Sequence, residues 1–159
     1  MSTPPVARWA PWGVALLAVA AFAATPGFGF VYDDHRFVAG NAALGEPSVL
    51  WRAFADPAVQ TADGTHAGLW RPLRTLSFAL DRALFGRGAA GPHAVNALLH
   101  GIGSGLVAAL LARWGAATAG VVLGGLVYAL HPVQVERVAW VSSRGALLAA
   151  ALLWAALTA

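Results

Sequence analysis

Four apolar runs constrain the fold of this chain more than any other feature of its sequence. They cover about residues 12–30, 94–113, 116–130 and 145–159, and Arg113 is their one charged residue. A helix needs ~20 mainly apolar residues to cross the hydrocarbon core of a bilayer. The sequence therefore predicts an all-α integral membrane protein with about four transmembrane helices, joined by loops over 33–92 and 131–144.

Composition excludes several other classes of protein. The chain is 58% hydrophobic and 11% charged, whereas about a quarter of the residues of a soluble domain are charged. It has no cysteine, which excludes disulfides, thiol nucleophiles and thiolate metal sites. The arginines are scattered among carboxylates, so the net charge of +3 does not indicate nucleic-acid binding. All basic residues are arginine, which is typical of a high-GC bacterial gene.

The first apolar run allows two interpretations. The small residues Ala21 and Ala23 have the spacing of a signal-peptide cleavage site, and cleavage there would leave a secreted domain. The run is, however, extended by Phe28, Phe30 and Tyr32 to the ~20 residues of a membrane span. We therefore favour an uncleaved first transmembrane helix over 12–30.

The two runs over 94–113 and 116–130 are separated by very few residues, which predicts an antiparallel hairpin. Glycines recur four apart in each run, and such spacing lets helix backbones approach closely in lipid. These are Gly101 and Gly105 in the first run and Gly120 and Gly124 in the second.

The long loop contains two amphipathic segments, over 48–54 and 72–85. Leucines recur at helical spacing in the second, at positions 73, 76, 80 and 84. Both segments are expected to form helices that lie on the membrane surface.

The orientation is left open by charge counting. Arg8 and Arg113 lie on one side of the predicted topology and the other eight arginines on the loop side. The positive-inside rule would place the loops in the cytoplasm, but it weakens for loops of ~60 residues.

Polar side chains gather in three clusters on the loop side. The candidate site residues among them are Asp33, Asp34, Arg71, His93, Asn96, His100, His131, Glu136 and Arg144. Each has a structural alternative: an aspartate caps a helix, polar groups of 93–100 hydrogen-bond neighbouring helices, an arginine snorkels or pairs with a carboxylate, and Glu136 belongs to a solvated loop edge. The spacing shows no metal, phosphate-loop or nucleophile-elbow motif.

The order of these motifs resembles the N-terminal part of GT-C membrane glycosyltransferases, and is most similar to the transmembrane and tetratricopeptide-repeat O-mannosyltransferase family. The matching positions are Tyr32-Asp33-Asp34, Asn41, Trp70-Arg71-Pro72-Leu73, Leu84-Phe85-Gly86, His93-x-x-Asn96-x-x-x-His100, and His131-Pro132-x-x-x-Glu136-x-Val138 through Arg144.

This resemblance implies a partial GT-C bundle over 1–159, with the loops on the periplasmic side of a bacterial inner membrane. The family has many more helices, and the last run stops without a polar flank, so the chain is expected to be a fragment that is inactive by itself. The resemblance implies transfer of a sugar from a polyprenyl-phosphate donor to a hydroxyl of a protein or lipid acceptor, with inversion. It leaves dependence on a divalent cation open.

The roles implied by the resemblance assign either Asp33 or Asp34 as the base that takes the acceptor proton. Arg71 first and Arg144 second are the candidates for the donor phosphate, because an arginine stays protonated and can meet two phosphate oxygens. The remaining candidates would shape the site. The alternative function is a small helical membrane scaffold, or part of a transporter, without enzymatic activity.

Overall fold

The computed structural model describes residues 5–65, 68 and 70–159, and these residues fold as α-helices linked by short 3-10 and π-helical turns, with no strand among them. The α-helices are α1 (Pro5–Ala21), α2 (Val49–Ala55), α3 (Pro72–Phe85), α4 (Ala90–Arg113), α5 (Thr118–Leu130), α6 (Gln134–Ala139) and α7 (Arg144–Thr158). The predicted all-α class is confirmed.

Three segments in the described part of the chain are long and apolar enough to cross a membrane: Arg8–Gly27, Ala90–Arg113 and Val141–Thr158. The fourth apolar helix, α5, has 13 residues and rises only ~20 Å, which is less than the ~30 Å of a bilayer core. The length and composition of these helices therefore indicate a membrane protein. It has three candidate spans in the described residues, where the sequence predicted about four.

The first helix has different bounds from those predicted. α1 covers Pro5–Ala21, and a 3-10 turn over Thr25–Gly27 follows it. Phe28 is already extended, with ψ 153°. The proline at position 26 has no N–H with which to continue a helix, so the apolar segment near Phe30 belongs to the connection and not to the helix.

α4 is the central helix and packs against α1, α5 and α7. A β-carbon at Gly101 would lie 2.5 Å from the Cγ2 atom of Val19 in α1, and one at Gly105 would lie 3.1 Å from the backbone oxygen of Pro11. The two α4 glycines therefore allow a close approach of α1. Gly124 of α5 approaches α4, since its β-carbon would lie 2.6 Å from Leu111.

The segment between α1 and α4 folds over a small core that includes Phe37, Val59, Phe78 and Val141. Two features of its sequence define α3: Pro72 suits the first turn, and Gly86 ends the helix at φ +74°, a conformation that favours glycine. The helix thus has the predicted bounds.

The faces of α3 are arranged in an unusual way. It buries Arg74 and Asp81, which are 2% and 3% exposed, and it leaves Leu73, Leu80 and Leu84 more than half exposed. In α2 the side chains of residues 50, 51 and 54 are likewise exposed. Apolar stripes that point away from the protein while charges point inward are typical of helices in contact with lipid.

Candidate active site

A large cavity, of about 780 Å³, lies between the start of α3 and the first turns of α7. One end is polar and includes Asp33, Arg71, Arg74 and the 142–143 backbone turn. The α7 wall is apolar and consists of Gly145, Ala146, Leu148, Ala149 and Leu152. A cavity with these two ends suits an amphiphilic ligand with a charged head and an apolar chain.

The structure separates the roles of the two adjacent aspartates. Asp33 is exposed and lines the cavity. Asp34 is fully buried, and its Oδ1 accepts hydrogen bonds from the backbone N–H of Ser142 at 2.7 Å and from its hydroxyl at 2.6 Å. Of the two candidates for the base, only Asp33 lines the cavity, while Asp34 joins the two loops.

A tight turn over residues 31–34 presents Asp33 to the cavity. The N–H of Asp34 donates to the carbonyl oxygen of Val31 at 2.9 Å, and the N–H of Val31 donates to Oδ2 of Asp34 at 3.1 Å. Between them Tyr32 has φ +47° and is 87% exposed. A left-handed conformation costs a non-glycine residue about 1–2 kcal/mol, and such strain is often found at functional sites.

Arg71 and Arg74 place two cations at the polar end of the cavity. Arg74 was not among the predicted site residues, although its position three residues after Arg71 puts both on one side of the helix start. Within the described part of the chain, no acidic group pairs with either guanidinium. Burial, and then the neighbouring Arg71, lower the pKa of Arg74 to about 10, while Asp33 opposes this shift. Arg74 is therefore still a cation at neutral pH.

Arg144, the second candidate for the donor phosphate, lies outside the cavity lining. Its side chain is fully buried, and its guanidinium donates to Asp81, to Oδ1 of Asn96 at 2.8 Å and to the carbonyl oxygen of Pro92 at 2.7 Å. It also lies 4.6 Å from the ring centroid of Phe78. These partners make Arg144 a link between α3, α4 and α7, and we therefore do not propose it as a phosphate ligand.

The polar residues of α4 also bond to protein groups. Nδ2 of Asn96 donates to the carbonyl oxygens of Val138 and Trp140, each at 3.3 Å. Nε2 of His93 lies 3.3 Å from the carbonyl oxygen of Gly29, and Nε2 of His100 lies 2.9 Å from that of Ala129. The geometry thus supports structural hydrogen bonding for these three residues: Asn96 and His100 contact α6 and α5, and His93 contacts the connection after α1.

Glu136 and His131 lie apart from the large cavity. Glu136 is exposed and lines a second cavity of about 400 Å³, which shares Trp140 with the first. His131 is exposed, and its Nδ1 accepts a hydrogen bond from the N–H of Val133 at 3.2 Å. Over the described ranges, no three His, Asp or Glu side chains come together as a metal site would require.

The chain is similar to several protein O-mannosyl-transferases. It is 38% identical over 138 residues to Protein O-mannosyl-transferase Tmtc2 of Drosophila melanogaster. The aligned region covers 84% of this chain and 14% of that protein. It is 33% identical over 137 residues to Tmtc1 of the same organism, covering 83% and 16% respectively. Protein O-mannosyl-transferase TMTC2 of Homo sapiens is 34% identical over 135 residues, covering 80% and 16%.

These homologues support the resemblance noted in the sequence, and the chain spans 14 to 16% of the length of these relatives. No protein-family model matches the chain. No solved structure gives a significant match.

Proposed function

We propose that this chain is part of a GT-C membrane glycosyltransferase that transfers a sugar, mannose by analogy with its relatives, from a polyprenyl-phosphate carrier to a hydroxyl group of a protein. The observation that carries the proposal is the cavity in which Asp33 lies with two arginines beside the apolar wall of α7. The names of the homologous proteins support the reaction and the class of acceptor.

In this mechanism Asp33 is the general base. It takes the proton of the acceptor hydroxyl as that oxygen attacks the anomeric carbon of the sugar. The bond from the anomeric carbon to the phosphate oxygen breaks, and its electron pair stays on the carrier phosphate. Attack opposite the leaving group inverts the anomeric centre. Asp34 does not touch the substrate in this proposal and instead positions Asp33 through the 31–34 turn.

The donor fits the shape of the cavity. Its phosphate would lie against Arg71, whose planar guanidinium can meet two phosphate oxygens. Its polyprenyl chain would run along the apolar wall at Leu148 and Leu152 of α7, within the Val141–Thr158 span. The exposed stripes of α2 and α3 would rest on the bilayer surface, which places the polar end of the cavity at the boundary between lipid and water.

The proposed location is a bacterial inner membrane, with the segment between α1 and α4 on the periplasmic side. A test labels single cysteines in the full-length protein with an impermeant maleimide, which is simple because this part of the protein has no cysteine. Ala62→Cys lies in the loop, and Ala117→Cys lies in the α4–α5 turn on the opposite side. From the periplasm we expect labelling of the Ala62→Cys variant and not of the Ala117→Cys variant, and the reverse pattern would contradict the proposed orientation.

The activity is tested with the full-length protein in nanodiscs, given a polyprenyl-phosphate mannose donor and a serine- and threonine-containing peptide. The wild type should form mannosylated peptide. Arg71→Gln should raise the KM for the donor at least about tenfold, as expected for loss of a charge-assisted hydrogen bond. Arg137→Gln, which changes an exposed arginine outside the cavity, is the matched control. Absence of transfer by the wild type would favour the membrane scaffold instead.

A further inference from the structure

Two arginines lie side by side in the large cavity. A β-carbon built on Gly145 would be 3.7 Å from the Cδ atom of Arg71 and also 3.7 Å from the Cδ atom of Arg74. The two side chains therefore approach α7 at the same glycine. The charge of Arg71 also lowers the pKa of Arg74, as a nearby like charge does, and an anion bound between the two guanidinium groups would offset this repulsion.

Arg74 is the more unusual of the pair. It is 2% exposed, its guanidinium carbon lies 4.3 Å from the ring centroid of Phe37, and its Nε–H has no hydrogen-bond partner in the described structure. A buried guanidinium that keeps an unpaired N–H and has no acidic group in salt-bridge contact costs stability. Such a cost is offset when a ligand supplies the missing negative charge, and Arg74 lines the cavity in which that ligand would bind.

The proposed reaction changes the charge of the carrier phosphate. The donor is a phosphodiester with one negative charge. When the bond to the sugar breaks, the electron pair leaves a phosphate monoester, whose second pKa is about 6 and which therefore approaches two negative charges at neutral pH. A cation that meets only the second charge stabilises the transition state and product more than the bound donor.

We propose that Arg74 binds the charge that the carrier phosphate gains during transfer, so that the site prefers a lipid phosphate monoester over a lipid phosphodiester. Arg71, which is exposed at the cavity mouth, neutralises the charge already present on the donor. This inference rests on the proposed function for the identity of the ligand, and it assigns a role to a residue that the sequence did not single out.

The test compares the binding of two probes to the full-length protein in nanodiscs, farnesyl phosphate and farnesyl methyl phosphate. At pH 7.5 the wild type should bind the monoester about tenfold more tightly, which corresponds to one additional charge-assisted contact. At pH 5, where the monoester carries one charge, the preference should disappear. Arg74→Gln should bind both probes alike, whereas Arg71→Gln should weaken both in parallel.

Several outcomes would overturn the inference. These are equal binding of the two probes by the wild type at pH 7.5, a monoester preference that persists in Arg74→Gln, or an equal loss of both probes in that variant. Arg74→Lys is the control for a folding defect in Arg74→Gln. It keeps the positive charge and should therefore keep most of the preference for the monoester. Loss of the preference in this variant with unchanged diester binding would also contradict the proposal.

The binding test and the transfer assay together separate this inference from the proposed function. A wild type that prefers the monoester but transfers no sugar would overturn the transferase and leave a charge-selective lipid-phosphate site. A wild type that transfers sugar but binds both probes equally would overturn the role of Arg74 alone.

Discussion

The carboxylate of Asp34 accepts hydrogen bonds from both the backbone N–H and the hydroxyl of Ser142, a residue 108 positions later in the chain. This contact ties the turn that carries Asp33 to the turn that begins α7. Both turns contribute to the lining of the large cavity. The relative position of the proposed base and the apolar wall therefore depends on a side chain that itself stays out of the cavity.

Replacement of the two aspartates should have different effects. Asp33→Asn removes the proposed base and should lower kcat by about 10²–10⁴-fold with little change in Tm, because its carboxylate is exposed. Asp34→Asn weakens buried hydrogen bonds and should destabilise the protein by about 1–3 kcal/mol. Transfer assays and thermal unfolding in detergent measure both effects. Unchanged activity in Asp33→Asn would remove the proposed base.

Ser142→Ala should destabilise the protein by about 1–3 kcal/mol, because it leaves part of a buried carboxylate without a donor. The loss should be less than additive with that of Asp34→Asn, since both changes break the same contact. A double-mutant cycle on Tm measures this coupling. Ser143→Ala, at the next position, is the control, and fully additive effects would show that the contact contributes little.

Asp81→Ala should destabilise the protein by about 3–5 kcal/mol, because it leaves the buried Arg144 without its acidic partner. The ion pair of Arg52 with the exposed Glu46 provides the control. Glu46→Ala should cost no more than about 1 kcal/mol, as expected for an ion pair at the surface. Chemical unfolding in mixed micelles compares the two variants, and equal losses would contradict the structural role of Arg144.

Tyr32→Gly should make the protein about 1 kcal/mol more stable, because glycine adopts the φ of +47° at this position without steric cost. Tyr32→Val should have the opposite effect, since a β-branched residue is poorly accommodated there. The Tm values of the two variants test this order. If the valine variant were as stable as the glycine variant, the turn would not be strained.

The exposed stripe of α3 should contact lipid. Nitroxide labels on Leu80→Cys and Leu84→Cys should collide more often with oxygen than with a water-soluble nickel chelate, because oxygen concentrates in the bilayer. A label on Ala62→Cys, in the loop, should show the reverse. Continuous-wave electron paramagnetic resonance measures both rates. Preference for the nickel reagent at positions 80 and 84 would place α3 in water.

Local signals predicted the elements of this fold well. Pro72 and Gly86 set the ends of α3, and the length of the apolar run over 94–113 predicted most of α4. The predicted end of the first helix was less accurate. A proline and a glycine interrupt the helical conformation there, although the apolar composition continues past them. The shortness of α5 was missed for a similar reason, since part of its apolar run forms the turn after α4.

The candidate site could be predicted only in part. Asp33 and Arg71 lie in one cavity, in line with the sequence interpretation, although their roles are still proposals. Arg144 was also assigned to that site from the family resemblance, and the structure instead gives it buried partners on two other helices. Arg74 and Ser142 were missed, since an arginine within a leucine-rich helix and a serine in a short loop carry no distinctive signal.

By itself the sequence determined that the chain is helical, that it belongs in a membrane and roughly where its long helices lie, because apolar runs and helix-ending residues act within a few positions of one another. Only the tertiary structure decided which polar side chains line the cavity and which are buried and hydrogen-bonded to other parts of the protein. That choice depends on pairing across long separations, such as Asp34 with Ser142 and Asp81 with Arg144, because a buried polar group is stable only where a distant part of the chain supplies its partner.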